Sequence, residues 1–426
     1  MTQHATIDLC HKTPARQSSR KLLCLLPFAP RLDATHGGGR VTGQMITELT
    51  RRHQVALLYL RAPSEPPVDD ALQQRCAVVE EVIRPEGAVA VMKHRNKVSS
   101  MLRGRPLWAA YTAVPEYESR LKALARSWRP DIVQIEFHVM GQYAFALDCC
   151  PAPRVLTDHE PGAKAARDVW QSSQGIARAS TYVNWRAWER FERRIIGQVH
   201  AVVVFTERDR QALVELGSPT PIVRIPVGTI LPEHPLSPDG HKPLSLLFVG
   251  NFKHPPNVEA AIRLITSIFP PVRSRFPGLV LYIVGDEPPH ELRKLGNKNV
   301  IITGRVPDVT HYLNNATVVV APLRLGGGMR VKILESLAAG KAVIASPLAI
   351  EGLDGLGEEQ IILATTNEHF SEAVVGLLGD PQRRALLAAG ARTWACANLG
   401  WDKSVAAYET LYENLLEPTS MARHAQ

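Results

Sequence analysis

Short apolar runs alternate with longer amphipathic stretches along the first half of the chain. The runs are KLLCLLPF (21–28), QVALLYL (54–60), DIVQIEF (131–137), PRVLTD (153–158) and HAVVVFT (200–206). Runs of this length and apolarity are typical of strands buried on both faces of a parallel sheet. The stretches between them, for example near 40–52 and over 176–197, have the mixed pattern of helices. The first half therefore predicts a parallel sheet covered by helices.

The same alternation restarts after a break rich in proline. Residues 226–243 contain five prolines and two glycines, which is typical of a connection between domains. The second set of apolar runs is LSLLFVG (244–250), LVLYIVG (279–285), VIIT (300–303), TVVVAPL (317–323) and KAVIAS (341–346). We predict an α/β protein with two facing, doubly wound Rossmann-like domains, 21–228 and 244–400, joined by a linker over 229–243. Ligands of such sheets bind beyond the carboxyl ends of the strands, so a cleft between the domains is expected.

Composition narrows the class only a little. Hydrophobic residues make up 45% and charged residues 21% of the 426 residues, as in ordinary globular proteins. The net charge of +8 permits an anionic partner, such as a nucleotide, a membrane surface or a nucleic acid, without choosing among them. The first 20 residues lack the apolar core of a secretory signal and predict a disordered tail.

No metal-binding pattern stands out in the sequence. The six cysteines show neither metal-ligand spacing nor a disulfide framework, and the motifs HExxH, CxxC and Asp-x-Asp do not occur. We therefore predict no metal and no cofactor, and a reducing, cytoplasmic environment.

One stretch suggests an anion site. The strand 318–323 leads into three glycines, 326–328, and then into a predicted helix, 329–339, whose first turn carries Arg330 and Lys332. Cations at a helix N-terminus oppose the helix dipole, whereas free N–H groups there bind phosphate. A bound diphosphate would make both cations favourable. The alternative is a flexible loop with two solvated cations.

The sequence around this stretch resembles a known family. GGGMRVKILESLAAGKAVIASPLAIEGL is similar to the donor-binding signature of retaining GT-B glycosyltransferases, family 4 or "group 1". FVGNFKHPPNVEAAIRLI, LYIVGDEPPHELRKL, IITGRVPDV and YLNNATVVVAPL follow in the order of that family. The resemblance covers roughly 21–416, is strongest in the second half, and points to a bacterial branch that often builds exopolysaccharide or lipid-linked glycans. It implies that the last helix, 401–416, crosses back to the first domain.

The resemblance also implies roles for residues of the second half. Glu335 matches the glutamate that binds the ribose hydroxyls, while Gly327 stands where the family has a first glutamate that contacts the donor sugar. Backbone N–H groups at Gly328 and Met329 would then hold the sugar or phosphate. The remaining donor-binding positions are Arg305 and Val306 for the base, and Asn251 in the place of a diphosphate-binding arginine, with Lys253, Arg330 or Lys332 supplying the charge.

In the first half, the resemblance singles out a glycine loop and a histidine. THGGGR, with Gly38 and Gly39, matches the loop that approaches the donor phosphate and the acceptor. It fails as a dinucleotide fingerprint because the third glycine position is Thr42. His159, in LTDHEPG, matches a histidine that contacts the donor sugar. A helix-capping or surface role for His159 is an equal alternative, and Glu136 at the end of another strand is equally consistent with a structural role.

A basic segment, 92–108, ends in GRPLW and contains five lysines and arginines. Such a segment can bind an anionic membrane, and the family often uses lipid-linked acceptors, but a solvated basic helix is the simpler alternative.

The expected function is metal-independent transfer of a sugar, with retention, from a nucleotide-diphosphate sugar to a glycan or lipid-linked acceptor. His159, Arg330 and Lys332 are the predicted catalytic residues. We expect no nucleic-acid partner and a cytoplasmic location, with peripheral contact at the inner membrane face as an option. The alternatives are a catalytically degenerate nucleotide- or glycan-binding subunit, for which Gly327 and Asn251 argue, and a nucleotide-sugar epimerase or hydrolase. The failed fingerprint argues against an NAD-dependent oxidoreductase.

Overall fold

The computed structural model describes residues 19–34, 37–85, 106–240, 243–326 and 330–417. The chain forms two compact units. The first consists of Met1–Ala34, Gly38–Pro226 and Ser404–Gln426, and the second of Thr35–Gly37 and Val227–Lys403.

The first unit contains a parallel sheet of seven strands in the order β3-β2-β1-β4-β5-β6-β7. Its strands are β1 (Lys21–Leu26), β2 (Gln54–Arg61), β3 (Val78–Ile83), β4 (Ile132–Glu136), β5 (Arg154–Asp158), β6 (Ala201–Val204) and β7 (Ile222–Arg224). The central strands are almost completely buried, which explains why their sequences are apolar on both faces. Because β1 pairs with both β2 and β4, the strand order reverses between β1 and β4.

Helices cover the first sheet. They are α1 (Gly37–Leu49), α2 (Asp70–Arg75), α3 (Leu107–Tyr111), α4 (Pro115–Trp128), α5 (Gly162–Ser172), α6 (Gly175–Ile196) and α7 (Glu207–Val214), with a 3₁₀ segment at His138–Leu147. The first helix begins at Gly37, earlier than the predicted 40. The three glycines therefore form its first turn and not a separate loop.

The last helix, α15 (Trp401–Leu416), packs on the first sheet from Ser404 onward. The Tyr412 hydroxyl donates to Gln134 Oε1 at 3.0 Å, and the Tyr408 hydroxyl lies 3.2 Å from Thr157 Oγ1. Glu409, buried on the same helix, pairs with Arg52 at 2.8 Å. The first two contacts give the hydroxyl groups of Tyr412 and Tyr408 the hydrogen-bond partners that buried tyrosines usually have.

The second unit contains a parallel sheet of six strands in the order β10-β9-β8-β11-β12-β13. The strands are β8 (Ser245–Val249), β9 (Val280–Val284), β10 (Val300–Gly304), β11 (Val318–Ala321), β12 (Val343–Ala345) and β13 (Ile362–Leu363). The helices are α8 (Pro255–Arg263), α9 (Phe269–Arg275), α10 (His290–Arg293), α11 (Thr310–Asn315), α12 (Val331–Ala338), α13 (Asn367–Gly379) and α14 (Pro381–Asn398). A π-helical turn, Leu264–Ile268, joins α8 to α9, and a 3₁₀ turn covers Pro347–Ile350. The prediction of two doubly wound sheets is thus confirmed.

The segment predicted as a linker lies within the second unit and is tied to it by hydrogen bonds. The Leu236 N–H donates to the Ala339 carbonyl at 2.8 Å, and the amine of Lys341 donates to the Ser237 carbonyl. Lys341 is fully buried, and burial lowers its pKa from 10.5 to about 8. Proline has no backbone N–H, so a proline-rich stretch forms few backbone hydrogen bonds of its own. Here the side chain of Lys341 binds one of its carbonyls.

Two predicted segments lie mainly outside the described residues. They are the tail, of which residues 1–18 are not described, and the basic segment 92–108, of which only 106–108 are described.

Within the described residues, no helix combines the length and the apolarity needed to cross a membrane.

Gly285 provides a test of the packing at the end of β9. Its φ is +148°, and an added Cβ would lie 1.6 Å from the Gly250 carbonyl oxygen. We expect Gly285→Ala to lower the free energy of unfolding by about 3 kcal/mol or more, because backbone must move on both strands. Gly278→Ala is the control, since nothing lies within 4 Å of its added Cβ. Equal stability of the two variants in urea denaturation would contradict this account.

Candidate functional site

His159 lies at the carboxyl edge of the first sheet, beside the place where the strand order reverses. It follows β5 directly, and its Nε2 is 2.7 Å from Oε2 of Glu136, the last residue of β4. Glu136 is completely buried and His159 is 9% exposed. Gln134 donates to the other Glu136 oxygen at 2.9 Å. The carboxylate is therefore held from both sides and fixes the orientation of the imidazole.

An aromatic wall surrounds this imidazole. The ring of Phe137 stacks on His159 at a centroid distance of 3.8 Å and an angle of 7°, and Phe205 meets His159 edge-on at 4.8 Å. Phe28 and Trp108 pack against Phe137 at 4.9 and 6.2 Å. Phe137 has φ of +69°, a strained value for a residue with a side chain. Strain of this kind persists where surrounding contacts impose it and is concentrated at functional sites.

A second buried histidine–carboxylate group lies next to His159. His138 Nδ1 is 2.9 Å from Asp158 Oδ1, and Glu192 accepts hydrogen bonds from the N–H groups of Gly162 and Ala163. Burial, followed by the charge of Asp158, raises the pKa of Glu192 to about 8. Burial alone would lower the pKa of His138, but the neighbouring Asp158 raises it overall.

Among the described residues, His138, Asp158 and Glu192 are the group whose ligand atoms lie close enough for a metal, within 4.8 Å of one another. Each already has a protein partner, and Glu192 accepts hydrogen bonds from the first N–H groups of α5. We interpret the group as a structural network that anchors the start of α5 and not as a metal site.

Gly38 and Gly39 lie in the first turn of α1, after β1. The Thr42 hydroxyl donates to the carbonyls of Gly38 and Gly39 at 3.0 and 3.1 Å. Helix N-terminal N–H groups with no side chains in front of them are suited to an anion, and the donor-binding role that the resemblance implies for these glycines stays a prediction.

In the second unit, the strand order reverses between β8 and β11, and the predicted donor-binding residues follow these strands. Asn251 comes shortly after β8. Its Oδ1 accepts from the Lys253 N–H at 3.0 Å, and its carbonyl accepts from Asn257 Nδ2 at 2.7 Å. The Lys253 amine pairs with Glu287 at 2.8 Å, and both side chains are more than half exposed.

Arg330 caps the helix instead of lying within it. Helix α12 begins at Val331, later than the predicted 329, and Arg330 is its N-cap residue with φ −91° and ψ 80°. Its guanidinium folds back over Gly326, where an added Cβ would lie 3.0 Å from Nη2. Gly326 has φ of +104°, so glycine is needed both for the backbone and for the approach of the arginine. Ile333, Leu334 and Leu337 are fully buried and form the apolar face of α12.

Lys332 is not a solvated cation. Its amine donates to Asn257 Oδ1 at 2.7 Å and lies 4.7 Å from the centroid of the Phe248 ring. Burial, followed by the positive charge of Arg330, lowers the pKa of Lys332 from 10.5 to about 7. Because Asn257 also bonds to Asn251, a continuous chain of hydrogen bonds joins Lys332 to the turn after β8.

The other predicted donor-binding residues are distributed along the same edge or are not described. Arg305 and Val306 follow β10, whose last residue, Gly304, has φ of +72°. Glu335 lies partly buried on α12, one turn after Val331. Gly327, Gly328 and Met329 lie outside the described residues.

Sequence reasoning missed Asn257 and Phe137. Asn257 is part of the stretch FKHPPNVEAA, but nothing in that stretch indicates that its amide reaches a lysine 75 residues later. Phe137 reads as an ordinary strand residue, because its positive φ depends on the turn into the 3₁₀ segment. Glu136 and His159 were both singled out, but the sequence did not indicate that they are partners.

Two family models match the chain, one in each half. The model described as "Glycosyltransferase Family 4" matches residues 35–231, and "Glycosyl transferases group 1" matches residues 243–380.

Individual relatives are distant. The chain is 27% identical to a phosphatidyl-myo-inositol mannosyltransferase of Mycolicibacterium smegmatis over 56% of this chain and 60% of that protein. It is 23% identical to an uncharacterized glycosyltransferase of Methanocaldococcus jannaschii over 41% of this chain and 46% of that protein. The matched part thus spans about half the length of these curated relatives.

Among solved structures, sucrose-phosphate synthase of Thermosynechococcus elongatus is similar over 93% of this chain and 99% of that chain, with a TM-score of 0.69 and 18% identity. Two parallel Rossmann-like sheets and this structural likeness define the class of fold, which is GT-B, and each half of the chain is similar to a family of glycosyltransferases.

The lowered pKa of Lys332 predicts a pH dependence of stability. Between pH 7 and 10.5 the unfolded lysine keeps a proton that the folded one has lost, so stability gains from this residue as pH rises through that window. The slope is at most about 1.4 kcal/mol per pH unit and is reduced by solvent at the partly exposed side chain. In Lys332→Met this contribution should be absent. The measurement is urea denaturation across the window, with Lys298→Met, an exposed lysine, as control. Parallel pH profiles for wild type and Lys332→Met would contradict the prediction.

The pairing of Glu136 with His159 predicts a positioning role for the carboxylate. Glu136→Gln keeps the size of the side chain but loosens the imidazole, so turnover should fall at least about tenfold while the fold is retained. Asp158→Asn, in the neighbouring histidine–carboxylate pair, is the control and should lower thermal stability more than turnover. If Glu136→Gln leaves turnover unchanged, or if both variants lose activity only in proportion to unfolding, the pair is structural.

Proposed function

We propose that the chain is a metal-independent, retaining glycosyltransferase that moves a sugar from a nucleotide-diphosphate sugar to a glycan or lipid-linked acceptor. The observation that carries the proposal is the pair of cations at the start of α12. Arg330 is folded over a left-handed glycine, and Lys332 is held by Asn257 beside it. Two cations at the positive end of a helix repel each other and the helix dipole, and a bound diphosphate would carry the opposite charge.

The donor reaction follows from this arrangement. The bond between the anomeric carbon and the phosphate oxygen breaks while the acceptor hydroxyl oxygen forms a bond to the same carbon. Negative charge grows on the departing diphosphate, whose oxygen accepts the hydroxyl proton. Arg330 and Lys332 stabilise that charge, together with backbone N–H groups at glycines 326–328. Electrostatic stabilisation of this kind is usually the largest catalytic contribution. An approaching diphosphate also raises the pKa of Lys332, so the amine becomes charged when the donor binds.

Further donor contacts are assigned by position in the family pattern. Glu335 accepts from the ribose hydroxyls, and the backbone at Arg305 and Val306 contacts the base. His159, oriented by Glu136, contacts the transferred sugar. Retention through a front-face displacement requires no protein nucleophile.

The acceptor is a glycan or a lipid-linked molecule. The relative of M. smegmatis is by its name a transferase that acts on a phosphatidyl-inositol, so a lipid acceptor is in keeping with this class. Trp108 is 40% exposed beside Phe137 and offers a ring on which a sugar can pack. A cytoplasmic protein with peripheral contact to the membrane would meet such an acceptor at the bilayer surface.

Arg330→Ala tests the proposal. The empty protein should be as stable as wild type or slightly more stable, because a cation is removed from the positive end of α12. Affinity for the nucleotide sugar should fall about tenfold or more, and turnover should fall further, because charge on the leaving group grows toward the transition state. A panel of nucleotide sugars is first screened by protection against thermal unfolding, and turnover is then measured in EDTA.

Arg324→Ala is the matched control, since Arg324 is an exposed arginine on the same loop. Strong destabilisation of empty Arg330→Ala with unchanged affinity and rate would make Arg330 a structural residue. Loss of all wild-type turnover in EDTA, restored by Mn²⁺ or Mg²⁺, would overturn metal independence. Binding of nucleotide sugar without transfer or hydrolysis would favour a non-catalytic subunit.

A further inference from the structure

Helices α5 and α6 of the first unit form an antiparallel hairpin with an anchored end and an exposed end. At the anchored end, Glu192 on α6 binds the first N–H groups of α5, and Trp188 and Phe191 are buried. At the other end, most residues of α6 from Gly175 to Val183 are exposed. The anchored end fixes the hairpin, so its exposed end is a rigid feature of the surface.

The exposed end carries an ordered aromatic cluster. Trp170 and Trp185 stack at 4.7 Å with an angle of 17°, and Tyr182 meets both rings edge-on at 5.6 Å. Two valines flank the cluster. Val169 is 54% exposed, Tyr182 45% and Val183 40%. We call these five residues, Val169, Trp170, Tyr182, Val183 and Trp185, the hairpin tip.

Arginines surround the hairpin tip. The guanidinium of Arg178 lies 5.4 Å from the centroid of Trp170, and those of Arg186 and Arg167 lie 5.6 and 5.9 Å from a ring of Trp185. Residues 162–196 contain seven lysines and arginines and three acidic residues. Arg186 pairs with Glu189, and Arg167 lies 3.7 Å from Glu215, so part of this positive charge is balanced. The surface combines exposed apolar side chains with arginines.

We propose that the hairpin tip docks on the surface of an anionic lipid bilayer. Tryptophan and tyrosine favour the boundary between headgroups and acyl chains, because each has an apolar body and a polar edge. The valines add apolar contact, and arginines bind lipid phosphates with their planar forks. A surface with both features binds membranes more strongly than either feature alone.

Two other occupants fit the surface less well. Single-stranded nucleic acid binds aromatic residues through their faces. Here the faces of Trp170 and Trp185 are stacked on each other and approached by arginines, and exposed valines offer nothing to a polar chain. A second copy of the chain related by two-fold symmetry would bring the same surface against itself. Arg167, Arg178 and Arg186 would then face like charges.

The hairpin tip is a different part of the chain from the basic segment 92–108. Its link to a lipid-linked acceptor rests on the proposed function, whereas docking on lipid does not. The two are therefore tested separately: docking is measured without donor or acceptor, and the proposed function by nucleotide-sugar binding and turnover.

The experiment is co-sedimentation of the full chain with vesicles. One set contains equal parts of phosphatidylcholine and phosphatidylglycerol, and the other contains phosphatidylcholine alone. Wild type should bind the anionic vesicles at low salt, bind the neutral ones weakly, and detach as salt screens the charges. The double variant Val169→Ser, Val183→Ser should lower the affinity about tenfold through lost apolar contact. Arg178→Gln should weaken binding and reduce its dependence on salt.

Matched controls come from the second unit. Leu386 is 74% exposed on α14, and Arg383 is exposed on the same helix. Leu386→Ser and Arg383→Gln should leave vesicle binding unchanged. All variants should keep the thermal stability and the nucleotide-sugar affinity of wild type, because the altered side chains are exposed.

Three results would overturn the inference. In the first, wild type does not sediment with anionic vesicles at low salt. In the second, the hairpin-tip variants bind as strongly as wild type, which would assign any binding to another segment such as 92–108. In the third, the hairpin-tip substitutions abolish a concentration-dependent dimer or binding to a single-stranded RNA homopolymer but leave vesicle binding intact. If docking holds while no nucleotide sugar binds, the proposed function fails and the membrane surface remains.

Discussion

The repulsion between Arg330 and Lys332 is the constraint on which the proposed donor site depends. Both lie where a helix already presents partial positive charge, and the charge of Arg330 helps burial to lower the pKa of Lys332 to about 7. The protein lessens this unfavourable arrangement in two ways. The amine of Lys332 donates to Asn257, and its lowered pKa reduces the fraction of the amine that is charged near neutral pH. A bound anion would interact favourably with both side chains and with the N-terminal end of α12.

The sheets provide the framework for these interactions. In a parallel sheet every strand ends at the same edge, so residues far apart in sequence meet there without a dedicated scaffold. In the second unit the turn after β8 supplies Asn251 and the following helix supplies Asn257, while Arg330 and Lys332 lie at the start of α12, which follows β11. In the first unit the ends of β4 and β5 bring Glu136 and His159 within 2.7 Å. The strained Phe137 completes this contact by stacking on the imidazole, and the aromatic wall holds Phe137 in place.

The membrane surface has a separate physical basis. The anchored end of the hairpin is built from a buried glutamate that serves backbone N–H groups, whereas the hairpin tip exposes aromatic and aliphatic side chains among arginines. Apolar side chains that stay exposed to water raise the free energy of the protein, and patches of them mark interaction sites. Contact with a headgroup layer would cover these side chains and neutralise the arginines at once.

The sequence by itself determined the two parallel sheets and their buried strands. These follow from periodicity and length, which act locally along the chain. It also indicated Glu136, His159, Arg330 and Lys332 as residues at strand or helix ends. Only the tertiary structure decided how they are paired. The bond from Lys332 to Asn257, the contact between His159 and Glu136, the positive φ of Phe137 and the binding of the proline-rich stretch by Lys341 join positions that no local pattern connects. Burial and neighbouring charge, which set the pKa of Lys332, exist only once the chain has brought those groups together.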